Sequence, residues 1–257
     1  MDGISAVIIT KNEERNIRRC LESIRQVADE VIVVDDFSTD GTVAICREFN
    51  VRVISQQWLG FGPQKNVGNL AAKHEYILSL DADEALDPEL AAAILTEKNK
   101  GLQGVYTLCR LNYYYGRFIR HGLEFPDIKV RLFHKEQARW ADQLVHETLQ
   151  LPPAVKRVHL NGLLLHYSYY TFEEHILKAN KYTTLAARNY FRNGRKASRM
   201  KILLSPVFTF FRAYFFKRGF LDGKHGFVLA VMHAHGSFVK YVKLWELHHN
   251  KERFNEG

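Results

Sequence analysis

The residues best suited to chemistry in this chain form Leu80-Asp81-Ala82-Asp83-Glu84, directly after the apolar run Tyr76–Leu80. At an extended strand end, side chains two apart point to the same side, so this Asp-x-Asp pattern presents Asp81 and Asp83 together. Hard oxygen ligands with open positions suit Mg²⁺ or Mn²⁺, completed by diphosphate oxygens and water. A transfer that expels a nucleoside diphosphate needs such an ion to neutralise the leaving group. Acidic pairs at strand ends also cap helices, and Asp87-Pro88-Glu89 has the form of a cap just downstream.

Similar polar groups recur after each apolar run. Val33-Val34-Asp35-Asp36-Phe37-Ser38-Thr39-Asp40-Gly41-Thr42 sets carboxylates and hydroxyls where a nucleobase or ribose can be held, or where Ser38 or Asp40 caps a helix. The first run ends in Thr10-Lys11-Asn12-Glu13-Glu14. Gly60-Phe61-Gly62-Pro63-Gln64-Lys65-Asn66 opens a helix whose N–H groups, with Lys65, can face phosphate or base.

Such groups need a scaffold that brings strand ends to one edge. Ile4–Thr10, Glu30–Asp35, Val51–Ser55 and Tyr76–Leu80 are short apolar runs, separated by helical patterns at Glu13–Gln26, after Asp40, and at about Phe61–Lys73. Continuous apolar strands alternating with helices predict an α/β fold: a Rossmann-like, mostly parallel sheet with helices on both faces. Ligands then bind beyond the carboxyl ends of the strands, where these polar residues fall. From Gly104 to Tyr167 the pattern predicts shorter strands and loops, and from Thr171 to His248 helices. The expected division is a catalytic domain over residues 1–170, in halves at about 1–100 and 101–170, followed by a helical basic region over 171–257.

At 257 residues the chain can bury a real core. Its three cysteines, Cys20, Cys46 and Cys109, are set among apolar residues and read as reduced core thiols. The opening MDGISAVIITKNEE reaches acidic residues too soon for a signal peptide, so a cytoplasmic protein is expected. The net charge of +8 is lopsided: residues 1–177 carry 20 Lys/Arg against 24 Asp/Glu, and residues 178–257 carry 16 against 4. Those balances, −4 and +12, place the positive field in the last third and favour anionic partners. Ile202–Phe216 and Gly226–Val239 are apolar but shorter than the roughly 20 residues that span a bilayer. In the second, Val228, Val231, Met232, His235, Phe238, Val239, Val242 and Trp245 follow helical spacing beside Lys240 and Lys243. That predicts a helix lying in an anionic membrane surface, or packed on the catalytic domain or on another subunit.

The ordered set TKNEE, VVDDFSTDGT, GPQKN and SLDADE resembles the family 2 glycosyltransferases, which have the GT-A fold. The resemblance implies that Thr10, Asn12 and Glu13 border a nucleotide, that Asp35 binds its base, and that Lys65 and Asn66 line the donor pocket. It further implies Asp81 near the ribose and Asp83 on the metal with the diphosphate of a UDP-sugar. Family 2 enzymes are inverting, and an inverting transfer needs a base to deprotonate the acceptor hydroxyl. Glu147, in Trp140-Ala141-Asp142-Gln143-Leu144-Val145-His146-Glu147, resembles the VHE motif of lipopolysaccharide-core β-1,4-glucosyltransferases and is the expected base, with Asp142 the competing carboxylate. His166, ending another apolar run, is a further candidate metal ligand or diphosphate contact, and Arg131 faces a diphosphate or an acidic acceptor, or makes a structural salt bridge. The tyrosines Tyr113–Tyr115 and Tyr167–Tyr170 can stack on sugars but fit strand packing better.

Pro206, the Phe208–Phe216 stretch, Gly219–Gly223 and Phe238–Glu246 extend the resemblance to that lipopolysaccharide subgroup. It implies glucose from UDP-glucose, an inner-core heptose on a lipid-linked, phosphorylated acceptor, and a peripheral position on the inner face of the inner membrane. Another UDP-sugar or a polyprenyl-phosphate acceptor is the alternative within the family. A nucleotidyltransferase would want a Gly-rich, basic loop after the first strand, which TKNEE is not, and no nucleic-acid module accompanies the basic tail.

Overall fold

Runs of β-branched residues bounded by helical patterns fold here as their periodicity dictates. The computed structural model describes residues 3–141 and 148–250. Strands β1 (Ile4–Thr10), β2 (Glu30–Asp35), β3 (Arg52–Ser55) and β4 (Tyr76–Asp81) lie parallel in the order β3-β2-β1-β4. They alternate with α1 (Ile17–Ile24), α2 (Thr42–Glu48) and α3 (Phe61–Ala71). The register sets Thr10 beside Asp35, and Asp81 beside Ile9, so three polar strand ends share one edge.

Beyond β4 the pairing turns antiparallel. The short strand β5 (Glu84–Leu86) and helix α4 (Pro88–Lys100) follow, then β6 (Val105–Tyr114), β7 (Arg117–Phe118), β8 (Asp127–His134), β9 (Arg139–Trp140), β10 (Leu149–Gln150) and β11 (Arg157–Tyr169). The full order is β3-β2-β1-β4-β8-β6-β11-β5, with β9 and β10 forming a separate ribbon. β6 and β11, at 10 and 13 residues, are the longest strands among the described residues. Gly162 keeps β11 continuous past α4: it adopts φ +93°, and a Cβ there would sit 2.2 Å from the Leu90 nitrogen. Asp87 caps α4 as expected, accepting the Leu90 N–H at 2.8 Å with Pro88 in the first turn.

The sheet is covered on both faces. Ile17, Cys20, Leu21 and Ile24 of α1 fall at the i, i+3, i+4, i+7 spacing and pack with Ile4, Ala6 and Ile8 of β1. On the other face Val7, Ile9, Val34 and Ile77 pack with Phe133 and Trp140, where α3 lies. Gly68 of α3 makes that approach possible, because a Cβ would stand 2.3 Å from Val7 Cγ1 and 3.1 Å from Val34 Cγ2. Helix α1 begins at Ile17 rather than Glu13; Asn12 has φ +53°, and Glu13 engages the Asn16 side chain and the Asn16 and Ile17 N–H groups in a turn. All three cysteines are buried, as expected of core thiols.

The chain divides into two compact units, residues 1–111 with 127–167, and residues 112–126 with 168–257. The second is built on α5 (Phe172–Arg192), α6 (Arg199–Phe211), a π-helical turn at Arg212–Phe216, a 3₁₀ turn at Gly219–Asp222 and α7 (Gly223–His249). Thr171 and Glu174 form a capping box on α5, and Ser198 caps α6. Lys243 of α7 ties to α5, donating to the Asn180 carbonyl and to the Thr183 and Thr184 hydroxyls. Within the helical stripe expected on α7, Met232 is buried while Val231, Phe238 and Trp245 are exposed. No helix among the described residues is long and apolar enough to cross a membrane.

Candidate active site

The carboxyl ends of β1, β2 and β4 bring the sequence-selected residues to one edge. Asp35 is buried, and both its oxygens serve Ser38: Oδ1 accepts the hydroxyl at 2.5 Å and Oδ2 the N–H at 2.9 Å. This Asx turn sets the loop after β2. Asn12 joins that loop to the one after β1, donating its N–H to Ser38 Oγ at 2.8 Å and accepting the Thr39 N–H at 2.8 Å. The Glu13 N–H donates to Thr42 Oγ1 at 2.7 Å. Thr10 is buried, and its hydroxyl has no hydrogen-bond partner among the described residues.

Helix α3 contributes Lys65, whose side chain has no exposed surface and whose Nζ lies 2.9 Å from Asp81 Oδ1 and 4.7 Å from the centre of the Trp140 ring. Arg131 of β8 reaches the other oxygen, with Nη2 3.1 Å from Asp81 Oδ2. Burial opposes ionisation of Asp81, but Lys65 and then Arg131 outweigh it and hold the carboxyl well below the usual range. Arg131 Nη2 also donates to Glu84 Oε1 at 2.6 Å, and the fully buried Glu84 accepts the Asp81 N–H at 3.0 Å. From Glu84 the charges continue to Arg110 at 3.3 Å, which pairs with Asp127 at 2.7 Å, whose other oxygen meets Lys129 at 2.9 Å. Signs alternate along the whole chain, so each buried charge has an opposite neighbour.

Asp83 pairs with a histidine from β11. Its Oδ2 is 3.3 Å from His166 Nε2, and its carbonyl accepts the Tyr167 N–H at 2.9 Å, which fixes β11 against the Asp81–Glu84 turn. The Arg19 guanidinium covers the Tyr167 ring at 3.7 Å. No cluster of three or more His, Cys, Asp or Glu side chains able to hold a metal occurs among the described residues. Asp83 and His166 nevertheless offer one oxygen and one nitrogen ligand within reach of each other. That donor set leaves the remaining positions of a six-coordinate ion to phosphate oxygens and water.

Asn66 does something the sequence did not suggest. Its amide nitrogen donates to the Trp140 carbonyl at 2.9 Å and its oxygen accepts the Trp140 N–H at 3.2 Å, clasping β9 to α3. Glu147 and Asp142 lie outside the described residues. Arg110, and the hub role of Glu84, escaped sequence reasoning. The available signal was an arginine inside the apolar strand pattern VYTLCRLNYY, which calls for a buried partner. Another groove, about 720 Å³, lies at the opposite ends of the strands, lined by Arg18, Glu30, Glu48 and Arg52 among others. Within it Arg18 pairs with Glu48 at 2.5 Å and Glu30 accepts the Ser5 hydroxyl at 2.7 Å.

The chain is similar to known proteins over most of its length. A full-length relative is an uncharacterized glycosyltransferase of Rickettsia typhi, 33% identical, covering 96% of this chain and 88% of its own. The lipopolysaccharide core biosynthesis glycosyltransferase LpsC of Rhizobium meliloti is 30% identical, over 98% of this chain and 95% of its own. Among solved structures, S. aureus TarS is similar at a TM-score of 0.48 and 16% identity, over 97% of this chain and 92% of that one. The family described as "Glycosyl transferase family 2" matches residues 5–160. With the α/β architecture and full-length relatives of the same kind, the chain belongs to glycosyl transferase family 2.

Proposed function

We propose that this glycosyltransferase moves glucose from UDP-glucose onto an inner-core heptose of a lipid-linked, phosphorylated lipopolysaccharide precursor, with inversion at the anomeric carbon. The observation that carries the reading is Asp81, held ionised between Lys65 and Arg131 at the end of β4, with the Asp83–His166 pair beside it. A carboxylate whose charge is locked is a fixed acceptor for ribose hydroxyls, and two cations behind it keep the site from repelling a diphosphate. The full-length likeness to LpsC supports the lipopolysaccharide acceptor.

In this reading Thr10, Asn12, Glu13 and Asp35 border the uridine, and Lys65 and Asn66 support the donor pocket from α3. Asp83 and His166 would hold Mg²⁺ or Mn²⁺, which would neutralise the charge left on the nucleoside diphosphate. Glu147 takes the proton from the attacking acceptor hydroxyl. Residues 1–170 carry the transfer, donor side first, and residues 171–257 place the enzyme peripherally on the cytoplasmic face of the inner membrane, where such an acceptor is presented.

Calorimetric titration of UDP, UDP-glucose and GDP, with and without Mn²⁺, tests the donor half. Metal-dependent binding of the uridine ligands over GDP is the expected result, and absence of all binding in a folded sample overturns it. A transfer assay pairing several UDP-sugars with heptose-containing and polyprenyl-phosphate acceptors tests the rest; preference for another pair would reassign the substrates within the family.

A further inference from the structure

Helix α6 carries its apolar stripe on the wrong side for a soluble protein. Met200, Leu203, Leu204, Val207, Phe208 and Phe211 recur at i, i+3, i+4, i+7, i+8 and i+11, which is one helix face, and all six are exposed. Leu203 is 67% and Phe208 63% exposed, and no residue of α6 is buried. The face turned toward α7 is mixed: Ser205 Oγ meets Ser237 Oγ at 2.8 Å, Thr209 folds its hydroxyl back onto the Ser205 carbonyl, and Phe210 packs edge-on against Phe227 with ring centres 6.0 Å apart. The π-helical turn then carries the surface on through Phe215 and Phe216, the latter 76% exposed, to Phe220 and Leu221.

Charge surrounds this surface with one sign. From His175 to Trp245 the sequence holds 14 Lys and Arg and a single carboxylate, Asp222. Asp222 is buried, accepting the N–H groups of Arg120 and His121 at 3.2 and 2.8 Å, so it does not offset the exposed cations. Arg199 and Lys201 flank the start of α6, and Arg212, Lys217, Arg218 and Lys224 flank the turns after it, all exposed.

We propose that the α6 stripe and the turn through Leu221 form the element that enters the membrane, lying in the plane of an anionic bilayer with its aromatic side chains below the phosphates. The inference rests on, and deepens, the membrane position given above, and shifts it from the α7 stripe to α6. An in-plane pose follows from length, since the 13 residues of α6 reach only about 20 Å at about 1.5 Å each, against a hydrocarbon layer of about 30 Å. Apolar side chains bordered by cations match the acyl boundary and the anionic headgroups respectively. A second copy of the chain is a poorer occupant, because a symmetric contact through this face would bring the two cation sets together.

The test is co-sedimentation of the full chain with phosphatidylcholine vesicles, with and without phosphatidylglycerol, for wild type and two double variants. Binding to the phosphatidylglycerol vesicles is expected for wild type. Phe208→Ser with Phe216→Ser should weaken it about tenfold or more through lost apolar burial. Lys217→Gln with Arg218→Gln should weaken only the anionic component, by about fivefold per charge. Thermal melting and light scattering accompany each sample, and the charge pair keeps the test decisive should the aromatic pair fail to fold. Wild type that binds UDP but stays in the supernatant overturns the proposal. So do variants that fold and partition like wild type, or a wild-type dimer that the aromatic substitutions split. Vesicle binding without UDP binding would sink the donor reading and leave this one standing.

Discussion

Lys65 Nζ lies 2.9 Å from Asp81 Oδ1 although the lysine side chain has no exposed surface. A buried ammonium is tolerated only beside a partner charge, so the first carboxylate of the Asp-x-Asp pattern is tied to helix α3. Lys65→Met should therefore cost on the order of 3 kcal/mol by leaving Asp81 short of a cation. Urea denaturation of Lys65→Met, Asp81→Asn and the double variant measures the coupling. Simple additivity would show the two side chains act independently.

Substitutions at Asp83 and Glu147 should separate donor binding from transfer. Asp83→Asn is expected to lower Mn²⁺-dependent UDP affinity at least about tenfold while leaving metal-free binding alone, with His166→Ala following the same direction more weakly. Glu147→Gln should keep that affinity and lose transfer by about 10²–10⁴. Calorimetry and a radiolabelled-sugar assay read the two effects. Turnover retained by Glu147→Gln would move the base role to Asp142 or another group.

Acid should loosen the helical unit through His175. Its ring stacks on Tyr169 at 4.5 Å and meets the Tyr115 hydroxyl, and burial, aided by nearby His233, pushes the imidazole down from 6.5 to about 4. Between those values the unfolded chain binds more protons than the folded one. The contribution is thus complete above about pH 6.5 and is lost as pH falls toward 4. Partial solvent access trims it to the order of 1 kcal/mol. Denaturation curves across this range should show a slope that His175→Asn flattens, and an unchanged slope would assign the effect to other groups.

Gly68→Ala is expected to destabilise by about 1–3 kcal/mol, because its new methyl meets Val7 in the closest helix–strand approach described for α3. Pairing it with Val7→Ala should recover part of the loss. No recovery would mean that the backbone, not the valine, sets the limit.

The parallel half of the fold was legible because β1, β2 and β4 are unbroken apolar runs and their polar ends recur in register. Asp87 at the start of α4 was equally plain, since a cap is a local signal. The pairing of β8 between β4 and β6 was not, because long-range strand order leaves no periodicity in the sequence. Arg131 was open between a ligand and a structural carboxylate, and it bonds to both Asp81 and Glu84. Arg110 and the Asn66 clasp on Trp140 depend on residues 17 and 74 positions away, distances at which spacing carries no information. That the stripe of α6 faces outward was not legible, because amphipathic spacing shows that a helix has two faces and not which one meets water.

That inverted helix also governs how the protein behaves as a colloid. With that apolar face toward solvent, repulsion among the cations that border it should keep the molecule dispersed. Salt shortens the reach of that repulsion to about 3 Å at 1 M while leaving the attraction between oily faces in force. Its solubility should accordingly fall as salt is added, and a purification that relies on high salt to strip bound polyanions would drive the chains together.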